Sequence, residues 1–338
     1  MKGLVVDYHT TATRDVCMIM REMGHVIDSW NLSGHNWLFN EKSPSVPILK
    51  DTSLSSFNID IGKDFWNQCS RDLCDYDFFV TGHTPCLSLL FSETKKPVIV
   101  CITTRYEHPF TGNSEKWKRF NDYLIENHSR NRFHFVSNNY YDANYFFHYT
   151  GIMPIVIQSL CHYHEGMWKK SKEDLVLYSK LRVSGDNISD IKSQGNYTWN
   201  EWYSYSGVLC IPYQVSTMSL FEFSAAGMPV KYPTISETLE LRNKFPNQVL
   251  SEISWRSVSS EYSNDQYKFI KTYGLLPSPN SLDHESVKRW LEFSDCYTPW
   301  MNNVIGNDSS LNYQIKKKYF IDSWKAILEN VAKESAIC

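Results

Sequence analysis

Short apolar runs punctuate the first half of the chain. They fall at residues 3–8, 25–30, 77–81, 97–102, 133–136 and 154–157. Apart from 25–30 (HVIDSW), the runs are nearly continuous in apolar residues and do not alternate, as expected for strands covered on both faces of a parallel sheet. Between them lie stretches with helical spacing at 14–23, 61–73, 86–91, 115–127 and 138–148. Residues 9–13 read as a polar loop. Residues 31–60 give no clear pattern beyond a short strand candidate at 46–49. Strand and helix in strict turn predict a right-handed βα layer.

The pattern restarts after a boundary placed between Gln158 and Lys170. Apolar runs at 175–178, 207–212 and 228–232 predict three more strands. Helical stretches are expected at 200–205, 218–226, 235–243, 282–293 and 312–333, with a mixed, loop-rich stretch at 245–282. The predicted class is α/β, with Rossmann-like domains at 1–160 and 161–338. A chain of 338 residues suits two such domains.

The most informative stretch is GVLCIPYQVSTMSLFEFSAAGMPVKYPT, residues 207–234. It reads as strand, loop, helix, strand. Ser216 or Thr217 can cap the helix. Its first N–H groups and its dipole favour an anion such as a pyrophosphate at the carboxyl end of the preceding strand. Glu222 lies one turn inside, able to accept from a sugar hydroxyl. Gly227 permits a turn at positive φ, and Pro229 prevents the helix from continuing.

Glu222-Phe223-Ser224-Ala225-Ala226-Gly227-Met228-Pro229 resembles the E-x-x-A-x-G-x-P signature of GT-B glycosyltransferases. The resemblance implies two Rossmann-like domains facing a central cleft, the second of which holds a nucleotide-sugar donor. It implies that Glu222 binds the donor ribose and that the backbone at Ser216, Thr217 and Met218 meets the diphosphate. Retaining members often carry E-x7-E. Its first Glu would fall at Gln214, so the stereochemical course stays open. The family also places basic donor-phosphate residues where Lys180 and Arg182 stand, and it often ends in a long helix that crosses back to the first domain.

Other candidates follow from strand ends. Lys180 and Arg182 come after the first strand of the second domain, where a cation can neutralise a leaving diphosphate. Arg105, Glu107 and His108 follow the most apolar strand of the first half. Glu107 or His108 is a candidate base for an acceptor hydroxyl. Asp7 ends the first strand, as either a base or a residue that caps the loop. His9 and His83 occupy similar loops and are candidate acceptor or cleft residues. Asp75-Tyr76-Asp77 spells D-x-D but precedes its strand, so it belongs at the sheet edge opposite the ligand loops and no metal is predicted.

Composition narrows the partners. Residues 1–160 carry 15 basic and 17 acidic side chains, and residues 161–338 carry 19 and 20. Neither half has the basic excess of a protein held mainly by nucleic-acid phosphates. Nine cysteines, with no C-x-x-C pair, fit a reducing compartment. A strand beginning by residue 3 leaves no room for a signal peptide, and no apolar run approaches a membrane span. Composition thus fits a cytoplasmic protein, and the resemblance implies a metal-independent glycosyltransferase without a separate cofactor. It further implies a UDP- or GDP-linked sugar as co-substrate and a glycan or other hydroxyl compound as acceptor. The rival readings are a GT-B-shaped epimerase or phosphorylase and a non-catalytic nucleotide-sugar or glycan-binding module.

Overall fold

The computed structural model describes residues 1–32, 57–58, 60–103, 106–110, 113–164, 166–183, 185–191, 198–251, 284–297 and 309–335. These fall into two compact units. Unit 1 comprises described residues from 1–158 and 320–335, and unit 2 those from 159–251, 284–297 and 309–319. Both are α/β and Rossmann-like, built on parallel sheets.

Unit 1 holds a six-stranded sheet in the order β2-β1-β3-β4-β5-β6. The strands are β1 (Lys2–Asp7), β2 (Val26–Asn31), β3 (Phe78–Gly82), β4 (Val98–Ile102), β5 (Phe133–Ser137) and β6 (Ile155–Val156). The order reverses after β2, so β1 and β3 become neighbours, with Asp7 opposite Gly82. Leu4, Val5, Val6, Phe78, Phe79, Val80 and Val98 to Val100 are wholly buried. That explains the unbroken apolar runs, since helices cover both faces.

The helices of unit 1 bury the faces that their spacing predicts. In α1 (Thr10–Glu22), Val16, Ile19 and Met20 face inward. In α2 (Ile61–Leu73), Phe65, Cys69 and Leu73 recur every fourth residue on the buried side. Asn113 caps α3 (Ser114–Ser129) and Asn139 caps α4 (Tyr140–Thr150), each by accepting a backbone N–H. Gly151 ends α4 at φ 71°, a conformation open to glycine.

Two expectations need correction here. Residues 10–13 form the first turn of α1 and not a loop, because Asp7 accepts from the His9 N–H and the Thr13 hydroxyl and so closes the turn itself. Residues 85–91 form a 3₁₀ segment and not an α-helix. Seven wholly or nearly buried residues bridge β3 to β4, and Phe91 stacks on Phe79 at 4.2 Å. The strand candidate at 46–49 lies outside the described residues.

Unit 2 has a four-stranded parallel sheet in the order β10-β9-β7-β8. Its strands are β7 (Leu175–Tyr178), β8 (Ile188–Ser189), β9 (Gly207–Cys210) and β10 (Val230–Lys231). The edge strand β8 has only two residues, too few to show as an apolar run. The helices are α5 (Trp199–Trp202), α6 (Met218–Ala225), α7 (Ile235–Lys244), α8 (His284–Leu291) and α9 (Ser309–Ser335). The expected helix at 200–205 shrinks to a single turn, α5, closed by a capping box between Thr198 and Glu201. Val176, Trp202, Val208, Leu220, Phe223 and Val230 share the core. Within α9, residues 309–319 count with unit 2 and residues from 320 onward with unit 1.

Candidate functional site

In unit 2 the register of the sheet sets the site. Tyr178 lies opposite Cys210, so the segments leaving β7 and β9 emerge side by side at the carboxyl edge. Lys180 comes from the first and Tyr213 from the second, and the ammonium sits 4.8 Å above the Tyr213 ring. A cation held over an aromatic face is attracted by the ring quadrupole and so restrained. Gln214 donates to the Tyr213 hydroxyl at 3.4 Å. Arg182 is exposed two residues beyond Lys180. Ser216 is half-buried, and Thr217 is the N-cap of α6.

The capping of α6 differs from the sequence expectation. Thr217 makes no side-chain cap bond. Its own N–H donates instead to the Asp295 carboxylate at 3.0 Å. The Asp295 N–H donates back to Val215 O at 3.0 Å, so residues 215–217 and 295 are clipped together twice. Asp295 is 1% exposed. The N-terminal end of α6 therefore already faces an anion, supplied by the chain itself. A carboxylate there is favoured for the same reason that a phosphate would be.

Glu222 is 6% exposed and is buried in α6 along with Leu220, Phe221 and Phe223. Its Oε1 accepts from the Tyr163 hydroxyl at 2.8 Å. Cys161 lies 3.5 Å from that hydroxyl and 4.0 Å from Met218 O. The Tyr203 phenol, bonded to the His164 imidazole, is pushed up by burial and then by the Glu222 charge. Burial also lowers His164 below the ordinary histidine value. Trp199 stacks on Tyr203 at 5.7 Å and remains 42% exposed, leaving an aromatic surface beside this network. At Gly166 a Cβ would lie 2.4 Å from the Tyr203 ring and 2.6 Å from His164. Cys161 and Tyr163 thus reach α6, and His164 and Gly166 reach Trp199 and Tyr203, through close contacts. Gly227 turns the chain after α6 at φ 76°.

In unit 1 the edge between β1 and β3 brings three predicted residues together. The Asp7 carboxylate accepts from Thr13 Oγ1 at 2.5 Å and the His9 N–H at 2.8 Å. His9 and His83 approach with ring centroids 5.1 Å apart. Asp7 is 1% exposed, and burial pushes its carboxyl up to about 7 against the pull of these hydrogen bonds. It therefore acts as a loop cap with a proton affinity near neutrality. Glu107 belongs to a separate cluster after β4. It is 3% exposed, and its charge adds to burial in holding the Tyr145 phenol well above the tyrosine range. His108 follows it, half-buried. Arg105 lies outside the described residues.

The D-x-D carboxylates stand at the amino edge. Asp77 Oδ2 accepts from the Lys2 N–H at 2.7 Å and so fastens the start of β1 beside β3. Among the described residues, no group of three or more His, Cys, Asp or Glu converges as metal ligands.

No protein-family model matches this chain, and no curated protein matches it either.

Tyr163, His164 and Asp295 escaped sequence reasoning. Asp295 lies 78 residues from the N–H that it holds, so no local spacing could announce it. Tyr163 sits in the stretch that reads as the domain boundary. Cys161 and the aromatic rings around it there could have flagged it as packed.

Proposed function

We propose that the chain is a glycosyltransferase of the GT-B kind that takes its sugar from a nucleotide diphosphate donor. Unit 2 would hold the donor and unit 1 the hydroxyl acceptor. The observation that carries this reading is the carboxyl edge of β7 and β9. A restrained cation, Lys180, stands there beside the loop that enters α6, and Glu222 lies one turn further in. Cleaving a sugar from a diphosphate releases negative charge on the leaving group. A cation and a helix start at a sheet's ligand edge suit that charge. Lys180 and the exposed Arg182 would stabilise the diphosphate, and Glu222 would accept from the ribose.

A base for the acceptor would come from unit 1. Asp7 has the proton affinity for the role but is almost wholly buried. His9 is exposed and His83 half-buried beside it. The imidazoles are therefore better placed to meet an acceptor hydroxyl, with Asp7 positioning the His9 loop through its backbone.

Thermal melts with UDP, GDP, CDP, ADP and dTDP test the donor site, with wild type and Glu222→Ala side by side. A nucleotide at 100 times its dissociation constant should stabilise by about 2.7 kcal/mol. One nucleotide should shift the wild type and shift Glu222→Ala less. No shift with any of them rejects the donor site. Binding without transfer to any acceptor favours the non-catalytic module, and interconversion of the free nucleotide sugar favours an epimerase.

A further inference from the structure

We propose that unit 1 carries a second binding site, specific for a small organic anion built on a single aromatic ring. A cavity of about 260 Å³ lies between the start of α2, the 3₁₀ segment after β3 and the first turns of α3. It is lined by Asn58, Asp60, Leu89, Phe110, Lys116, Arg119 and Phe120. The segments carrying Leu89, Phe110 and Phe120 all follow the carboxyl ends of β3 and β4, the side on which open parallel sheets take ligands.

The lining is divided by chemistry. Leu89, Phe110 and Phe120 are buried, at 0%, 6% and 1% exposure, and make the apolar wall. The two phenyl rings meet at 5.1 Å and 41°, a tilted pair of the kind that accepts a third ring on its edge or face. Asn58, Asp60, Lys116 and Arg119 are exposed and make the polar wall. A cavity of about 260 Å³ fits one ring with a short arm.

Charge decides the sign of the ligand. Lys116 and Arg119 stand three residues apart on α3 and so share one face, where like charges repel. The neighbouring cations are paired, Lys118 on the same helix with Asp122 at 2.5 Å and Arg130, just past its end, with Glu126 at 2.6 Å. Lys116 and Arg119 enter no ion pair among the described residues. A ligand carboxylate or phosphate between them would replace repulsion with two charge-assisted hydrogen bonds. Asp60 supplies an acceptor for a hydroxyl or amine on the same ligand. Dehydrating the ligand ring itself, together with the small part of Phe110 that remains exposed, would supply the rest of the affinity.

The site uses none of the residues assigned to the donor. Its failure and the failure of nucleotide binding are separate results. The test is calorimetric titration of the full chain with 4-hydroxyphenylacetate, phenyl phosphate, neutral 4-hydroxyphenylacetamide and inorganic phosphate. Either aromatic anion should bind at least ten-fold more tightly than the amide and than inorganic phosphate. Which anion binds more tightly distinguishes a carboxylate ligand from a phosphate ester. Lys116→Gln with Arg119→Gln should weaken that binding at least ten-fold. Both side chains are exposed, and an unchanged melting temperature verifies that the variant is folded. Equal binding of acid and amide overturns the proposal. So does undiminished binding by the folded double variant, or no binding of either aromatic anion at 10 mM, taken here as roughly the weakest affinity a pocket of this size would give.

Discussion

Asp7 gives the sharpest quantitative test. Burial raises its carboxyl from 3.8 to about 7 in the folded chain. Between those values the folded state keeps a proton that the unfolded chain has lost. Stability therefore falls as pH rises through that window, and the whole penalty is present above it. At 1.36 kcal/mol per unit the full penalty is about 4 kcal/mol. Over pH 5 to 8.5 the same linkage gives a loss of about 2.7 kcal/mol. Asp7→Asn keeps the shape and an acceptor for Thr13 or His9 but cannot ionise. The stability difference between wild type and Asp7→Asn should thus move by about 2.7 kcal/mol toward the variant over that range. Hydrogen exchange of the β1 amides at both pH values measures it within unit 1, because core strands open only with global unfolding. Comparing the two proteins at each pH cancels every other titrating group. A difference that stays constant to within about 0.5 kcal/mol refutes the reasoning. It would mean that Asp7 stays ionised beside a compensating positive charge.

Gly82→Ala places a Cβ 2.3 Å from the Thr13 methyl and 3.4 Å from the Asp7 carboxyl, so a loss of about 1–3 kcal/mol is expected in the melt. Gly207→Ala meets the Pro229 carbonyl at 2.8 Å. That neighbour is backbone of the paired segment and cannot swing away, so unit 2 should lose a similar amount, read by exchange of the β9 amides. Thr234→Ala removes the capping box that Thr234 forms with Glu237 at the start of α7, at a cost of about 1 kcal/mol, and faster exchange in the first turn of α7 would show it.

The sheets were legible in the sequence because parallel strands need unbroken apolar runs, and β1, β3, β4 and β9 have them. The helices of unit 1 were legible from inward positions spaced three or four apart, as in Phe65, Cys69 and Leu73. Two kinds of feature were not. Elements of two residues, such as β8, carry too little pattern to read. Long-range polar contacts carry none at all. The D-x-D pair was readable as an amino-edge feature only because its position relative to β3 is a local matter. The partner of the Thr217 N–H and the hydroxyl on Glu222 depend on how distant segments fold onto α6. The charged cavity in unit 1 is of the same kind, since its walls come from the residues before α2, the 3₁₀ segment, the loop after β4 and α3.

Those two contacts on α6 bear directly on the proposed donor site. Tyr163 puts a hydroxyl on Glu222, where a ribose hydroxyl is proposed. Asp295 puts a carboxylate on the Thr217 N–H, where a diphosphate is proposed. The chain thus fills with its own groups the chemical roles of a nucleotide diphosphate. If the donor takes those positions, both groups must give way, and binding is weakened by what they contribute. A hydrogen bond to a charged group is worth about 1.5–3 kcal/mol, so Asp295 alone would reduce donor affinity by roughly ten- to a hundred-fold. Asp295→Asn, a weaker and uncharged acceptor, should then bind the selected nucleotide at least ten-fold more tightly in a calorimetric titration. Tyr163→Phe should do the same through Glu222, by a smaller factor. The opposite outcome has an equally definite meaning. Weaker binding in Asp295→Asn would make the clip between residues 215–217 and 295 the scaffold that shapes the donor loop. The phosphates would then rest on Lys180 and Arg182, with the start of α6 closed to them.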